Sequence, residues 1–412
     1  MTAKAKPAHA PIEGFGTEGG CLSVGGIALP RLAERAGGTP FYAYDRALVT
    51  ARVGALRAAL PRGVRLTYAV KANPMPALIQ HLAGLVDGFD VASAGELKTV
   101  LDAPVSPADV SFAGPGKTET ELAQAVAAGV LVNLESETEM ETVARLGARQ
   151  GVRPRVGVRI NPDFELKSSG MKMAGGAKQF GVDSERVPQM LSRIRELDLA
   201  FEGFHIFAGS QNLSADSLAE VQDKTVALAI GLARAAPAPV KVLNIGGGFG
   251  IPYYPGETRL DLAKVGGHLS TLMPGIAEAL PEAKIVVELG RYIVGEAGVY
   301  VCRVVDRKFS RGQTFLVTDG GLHHHLVASG NLGVVIRRNF PVAVGNRMDG
   351  ASTETVTVVG CLCTPFDLLA DKVELPRAEI GDLIVIFQSG AYGPSASPAG
   401  FLGHPPAPEL LV

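Results

Sequence analysis

One lysine stands out for its position. Lys71, in T-Y-A-V-K-A-N (Thr67–Asn73), follows a short β-branched and aromatic run that reads as a buried strand. Buried among apolar neighbours, such an amine loses its charge, and a neutral amine is the form that makes a Schiff base with an aldehyde. The plainer reading is a lysine that snorkels from a strand end. Further along, N-I-G-G-G-F-G (Asn244–Gly250) offers Gly246, Gly247 and Gly248 in succession, whose amides can approach an oxygen anion without Cβ obstruction. A structural left-handed turn would use glycine as well. E-L-G-R (Glu288–Arg291) adds an acid and an arginine. A lysine for an aldehyde, a cradle for a phosphate and an acid to hold a pyridine nitrogen protonated point together to pyridoxal 5'-phosphate. The alternative for Glu288 is an ion pair with Arg291 or Arg303.

The elements that must position these groups are regular. From Leu66 onward, apolar runs recur at strand-then-helix intervals: L-T-Y-A-V, G-F-D-V-A-S, V-S-F-A-G, V-L-V-N-L, V-G-V-R-I, G-F-H-I-F, V-L-N-I and I-V-V-E-L. Helical patterns fall between them, over Pro76–Leu85, Ala94–Leu101, Glu119–Ala128, Ser136–Gln150 and Val187–Leu197. Eight such units predict an α/β fold, a (β/α)8 TIM-like barrel, with a doubly wound open sheet as runner-up. The barrel is preferred because Lys71, Ser93, Glu135, Asn161, Asp163, Ser210, the glycine run, Glu288 and Arg291 all lie at C-terminal strand ends, which a barrel gathers on one face. After Arg291, V-Y-V-C-R-V-V, T-F-L-V-T-D, T-V-T-V-V-G and D-L-I-V-I-F predict a C-terminal all-β domain, a sandwich or small barrel. The expected domains are a tail with one strand joining the β-domain (1–38), the barrel (39–291) and the β-domain (292–412). Gly25–Ala28 is expected to pair with the β-domain, and the first ~20 residues to be disordered.

The bulk properties narrow the function. The 412 residues are 47% hydrophobic and carry a formal net charge of −2. That balance gives no footprint for nucleic acid or an anionic membrane. No run of about twenty apolar residues is present, and M-T-A-K-A-K-P lacks a signal-peptide core. Cys21, Cys302, Cys361 and Cys363 are too few for a disulfide framework, so the expected location is cytoplasmic. H-H-H at His323–His325 invites a metal reading, but adjacent strand residues point to alternate faces and do not make one tridentate site, so no metal is expected and a loop near the substrate mouth is preferred. Arg337 and Arg338 are either solvated or placed to meet a distal carboxylate or phosphate.

Y-A-V-K-A-N, D-V-A-S-A-G-E, A-G-P-G-K, G-S-Q, G-G-G-F-G, E-L-G-R, a late C-x-x-x-D and G-A-Y-G follow one another in this order. The series resembles the alanine-racemase-fold amino-acid decarboxylases of the diaminopimelate/ornithine decarboxylase group, over about Tyr42 to Val412. Through G-F-H-I-F-A-G-S-Q-N-L, T-D-G-G-L-H-H-H-L and C-T-P-F-D-L-L-A-D-K it is most similar to the subgroup associated with exosortase and exopolysaccharide gene clusters. The resemblance implies that Lys71 forms the Schiff base with pyridoxal phosphate. Ser210, Gly246, Gly247, Gly248, Gly290, Arg291 and Tyr392 would hold the phosphate end, Glu288 the ring nitrogen, and Asp90 and Glu96 would lie nearby. Cys363 would reprotonate the α-carbon from the partner subunit of a homodimer, and Asp319, Thr364 and Asp367 would face the substrate.

Two departures from the family pattern bear on substrate and ring. Phe207 fills the position of a ring-stacking histidine, with His205 two residues earlier and so on the same strand face. Thr364 follows Cys363 where the group has a glutamate or aspartate for a distal amine, which removes that counter-charge. The expected reaction is decarboxylation of an L- or meso-amino acid, free or tethered to a carrier protein. A racemase and a non-catalytic pyridoxal phosphate protein are the rivals; Glu288, a strong sink partner, argues against the first, and the complete second domain against the other.

Overall fold

The computed structural model describes residues 9–164, 171–331, 338–350 and 352–412. They divide into two units, each discontinuous in sequence.

The first unit comprises Val53–Gly250 and Leu260–Gly290. Its strands Arg65–Ala69, Gly88–Val91, Val110–Phe112, Leu131–Leu134, Arg155–Asn161, Ala200–Ile206, Val242–Gly247 and Lys284–Leu289 pair in parallel, each with the next. The eighth returns to the first, with Glu288 opposite Thr67 and Leu289 opposite Tyr68. The sheet is therefore a closed (β/α)8 barrel on the eight predicted runs, and the open-sheet alternative falls. Its strands read as continuous apolar runs because helices cover the outer face and side chains fill the interior.

The predicted helices form at Pro76–Leu82, Ala94–Leu101, Glu119–Ala128, Glu137–Gln150 and Val187–Glu196, and Ala215–Ala233 and Leu262–Ala279 join them. Caps set several boundaries. Ser93 Oγ accepts from Glu96 N, Ser136 Oγ from Glu139 N, and Thr118 with Glu121 makes a capping box. Gly129 and Gly151 end their helices in the left-handed conformation.

The second unit comprises residues up to Arg52, Ile251–Arg259 and Arg291–Val412. Its spine is Gly298–Ser310, whose first half pairs antiparallel with Phe41–Tyr44 on one side and Leu383–Ile386 on the other. Its second half pairs with Gln313–Thr318, which runs parallel to Thr353–Val359; Leu368–Pro376 follows antiparallel. Val342–Val344 pairs with Leu383–Ile386, and Glu409–Leu411 runs parallel to Phe41–Tyr44. The result is the expected all-β domain, as one mixed sheet. Leu22, Val24, Leu29, Leu32, Phe41, Val299, Val301 and Val385 share its core.

Three boundary expectations change. The barrel unit does not start at 39, because Phe41–Tyr44 bonds to strands of the β-unit on both edges. Gly16–Glu18 is a strand paired with Cys21–Val24, so order begins before residue 20; residues 1–8 lie outside the described ones. Ile27–Ala28 pairs with Cys21–Val24 in a three-stranded sheet, not with the large sheet. Arg337 lies outside the described residues, whereas Arg338 stacks on the Tyr254 ring at 3.9 Å and lies 3.7 Å from Glu257. Among the described residues no helix is long and apolar enough to cross a membrane.

Candidate active site

Lys71 sits on a single 3-10 turn, Val70–Ala72, directly after the first barrel strand. The buried setting expected for it is corrected: Val70 and Ala72 are fully buried and fix the turn, while Lys71 itself is exposed beyond the strand end. Its Nζ lies 5.7 Å from the centre of the Phe207 ring. Gly290 backs the turn so closely that a Cβ there would stand 2.8 Å from Ala72 Cβ.

Beneath this turn the barrel interior holds a chain of charged and polar groups. Glu288, buried, meets His205 Nε2 at 3.1 Å and Asn244 Nδ2 at 3.3 Å, all on adjacent or next-but-one strands. The imidazole stands beside the carboxylate with neither of its nitrogens in an aligned hydrogen bond among the described residues. Burial alone would raise the Glu288 carboxyl; His205 against it, with the charges of Lys71 and Arg159, more than reverses this and holds it at about 2. Asp90 goes the other way. Burial and the nearby Glu288 charge push it up to about 7, against hydrogen bonds donated by Ser111 and Thr67. Two carboxyls of one interior are thus driven apart, Glu288 charged and Asp90 poised near neutrality. Of the acids expected nearby, Glu96 caps its own helix start through Ala92 N.

The glycine run is dictated by packing. Gly246 and Gly248 have φ of 69° and 71°. A Cβ at Gly247 would meet Glu288 O at 2.2 Å, and one at Gly248 would meet Gly209 O at 2.1 Å. Asn212 N donates to Gly248 O, which draws Gly209, Ser210 and Asn212 against the run. Ser210 and the three glycines therefore share one place at the C-terminal ends of the sixth and seventh strands, beside Glu288. In the β-unit, Arg291 donates to the Tyr253 hydroxyl at 2.8 Å and lies 4.7 Å over the Tyr392 ring, with its buried Nε unpartnered among the described residues. Tyr392 has a left-handed φ of 54°, a strained position for a bulky residue.

These groups fit pyridoxal phosphate. Within the barrel unit, an accessible amine, an aromatic ring beside it, a buried carboxylate held ionised and a glycine turn are the groups its aldehyde, ring, pyridine nitrogen and phosphate require.

The remaining predicted residues lie in the β-unit. Cys363 is exposed and free. Asp319 accepts from Thr39 Oγ1 at 2.5 Å and Arg303 N at 2.8 Å. Thr364 is half-buried. Asp367 is buried, and its two oxygens accept from Leu322 N at 2.6 Å and Leu362 N at 2.8 Å, so it ties two loops together. His323–His325 form a turn rather than a strand, all three buried, each with different neighbours. Burial and the imidazoles of His324 and His404 push His323 down to about 4.

Sequence reasoning passed over Arg159, Lys117 and Tyr253. Arg159 pairs with Glu135 at 2.8 Å and Lys117 with Glu139 at 2.7 Å, both in the barrel unit. An arginine inside the apolar run V-G-V-R-I and a tyrosine pair two residues after G-G-G-F-G were the available signals.

Residues 46–295 match the family described as "Pyridoxal-dependent decarboxylase, pyridoxal binding domain". The chain is 36% identical over 379 residues to the L-glutamyl-[BtrI acyl-carrier protein] decarboxylase of Niallia circulans, covering 90% of this chain and 88% of that one. It is 32% identical over 398 residues to the diaminopimelate decarboxylase of Aquifex aeolicus, covering 95% and 91%. The crystal structure of diaminopimelate decarboxylase from Helicobacter pylori complexed with L-lysine superposes with a TM-score of 0.82 at 26% identity, covering 93% of this chain and 94% of that one. The fold, the donor set and these likenesses define one class of enzyme. This chain belongs to the pyridoxal-dependent decarboxylase family, and is a pyridoxal phosphate-dependent amino-acid decarboxylase.

Proposed function

We propose that the enzyme decarboxylates an α-amino acid whose far end carries no free ammonium, and that an aminoacyl group tethered to a carrier protein is the substrate class that fits best. The observation that carries this reading is the loop after Cys363. Thr364 offers a hydroxyl where a distal amine would need a carboxylate, and the buried Asp367 carboxylate is turned to two backbone amides. A buried ammonium without a counter-charge loses several kcal/mol. The likeness to a carrier-protein glutamyl decarboxylase supports the same class. Free meso-diaminopimelate is the second reading, favoured by the likeness to diaminopimelate decarboxylases.

The chain's own groups then have these roles. Lys71 Nζ is the amine that would hold the cofactor's aldehyde. Phe207 flanks the ring, and Glu288, kept ionised by His205, holds the proton on the ring nitrogen. Ser210 and the Gly246–Gly248 amides would take the phosphate. When bound, pyridoxal phosphate supplies the electron sink that receives the pair left as carbon dioxide departs. Cys363 Sγ, exposed and so open to presentation by a second copy, gives the α-carbon its proton, which calls for a homodimer. Soluble, cytoplasmic working suits four free thiols.

The test is carbon dioxide release from the purified holoenzyme with a glutamyl-loaded acyl-carrier protein against meso-diaminopimelate, ornithine, lysine and free glutamate. Turnover confined to the carrier-bound substrate is expected. Strong turnover of diaminopimelate would overturn the reading and make Thr364 a tolerated replacement.

A further inference from the structure

The histidine run holds one residue that the decarboxylation chemistry leaves without work. His324 and His325 are accounted for: His324 bridges the Tyr300 hydroxyl (3.2 Å) and Pro405 O (2.8 Å), and His325 Nε2 meets Ser389 Oγ at 2.9 Å. His323 is fully buried, yet neither ring nitrogen has a hydrogen-bond partner among the described residues. Such a group costs about 1–3 kcal/mol unless something satisfies it.

Two further ligand-type side chains converge on it. Cys361 Sγ lies 3.8 Å from His404 Nε2, the His323 and His404 rings are 5.0 Å apart, and one ligand atom from each of the three lies within 4.8 Å of the others. In a tetrahedral zinc site, ligands at about 2.0–2.3 Å from the ion stand roughly 3.3–3.7 Å apart. The spacing therefore needs only small side-chain rotations to close on a cation.

The surroundings are those of a built site. Asp367 accepts from the amide of Leu322, just before His323, and from that of Leu362, just after Cys361, so one carboxylate fixes two of the three ligand segments. Gly321 and Gly360 permit this, since a Cβ at either would stand 2.2 Å from Asp367 oxygens. His324, by holding Pro405 O, fixes the third segment beside His404. Asp319 is not a fourth ligand, because its carboxylate is turned to Thr39 and Arg303; its backbone carbonyl faces Cys361 Sγ at 3.7 Å.

We propose that His323, Cys361 and His404 form a transition-metal site of zinc type in the β-unit, with three protein ligands and a fourth coordination position open to water or an anionic group. One thiolate and two imidazoles are a borderline-soft set that suits zinc over magnesium or calcium. The outward organisation by Asp367 and His324 matches the way ligating residues are oriented by the groups behind them.

The test uses holoenzyme incubated with zinc, desalted, and analysed for metal content and by X-ray absorption at the zinc edge. About one zinc per chain, with one sulfur near 2.3 Å and nitrogen near 2.0 Å, is expected. Cys361→Ser and His404→Ala should each lower retained zinc at least tenfold while the pyridoxal absorbance stays, and Cys363→Ser should retain it. Substoichiometric zinc in the unaltered protein, a sulfur-free coordination shell, or retention unchanged in the Cys361→Ser/His404→Ala double variant would overturn the proposal.

Discussion

His205 Nε2 lies 3.1 Å from Glu288 Oε2 although the two come from the sixth and eighth barrel strands, and Asn244 on the strand between them reaches the same oxygen. Three consecutive strands thus converge on one carboxylate. The imidazole is what keeps that carboxylate ionised in a buried place. His205→Leu removes the largest influence that opposes burial, so the proton affinity of Glu288 rises and the acid limb of the kcat/KM profile moves to higher pH. A pH–rate series from 4 to 8 checks this; superimposable limbs would release His205 from that role.

Glu288→Gln leaves the shape and removes the charge. The ring-nitrogen proton then has no counter-ion, and kcat is expected to fall about 100-fold or more while the Lys71-dependent cofactor absorbance persists. Steady-state carbon dioxide release together with a visible spectrum separates lost chemistry from lost binding.

Asp90 has a raised carboxyl, about 7 against 3.8. The folded state then holds a proton that the unfolded chain releases, so this group's contribution is greatest below pH ~4 and is lost as pH rises through ~7. Asp90→Asn should flatten that slope. Urea unfolding of cofactor-free protein at pH 5 and 8.5 should give a gap between the two pH values in the parent that shrinks in the variant by on the order of 1 kcal/mol or more.

Gly248→Ala puts a methyl 2.1 Å from Gly209 O at a φ of 71°, whereas Gly256→Ala, at a φ of 84°, meets nothing within 4 Å. The first is expected to cost more than about 3 kcal/mol or to abolish phosphate-end binding, the second about 1 kcal/mol. Thermal melts and cofactor titrations of the pair provide the comparison.

Thr364→Glu would restore a carboxylate beside Cys363. The ratio of kcat/KM for meso-diaminopimelate over a carrier-bound glutamyl substrate is expected to rise 10-fold or more. An unchanged ratio would move the specificity determinant elsewhere.

The barrel was legible because buried parallel strands need continuous apolar runs, and V-V-E-L or L-T-Y-A-V has few other uses. Caps such as Thr118 with Glu121 carried the helix starts in the residues themselves. What the chain did not disclose depends on distant partners. F-Y-A-Y at Phe41–Tyr44 reads as any short strand, and only Gly298–Ser310 and Glu409–Leu411 assign it to the β-unit. Lys71 lies two residues beyond the end of the strand Arg65–Ala69, so its emergence from the barrel rested on where that strand stops. His205 was visible as a candidate, but the register pairs it with Asn244 and Asn244 with Val286, so its meeting with Glu288 two residues further on could not be read from the strands alone. His323, Cys361 and His404 sit too far apart in sequence for any spacing rule to join them.

The assignment of Phe41–Tyr44 also has a consequence for synthesis. Both of that strand's partners, Gly298–Ser310 and Glu409–Leu411, leave the ribosome only after every barrel strand has done so. The N-terminal segment must therefore wait, with its apolar Phe41, Leu29 and Leu32 uncovered, while the (β/α)8 unit folds around local contacts. Nascent chains stalled between Gly290 and Pro376 would be the forms most in need of a chaperone.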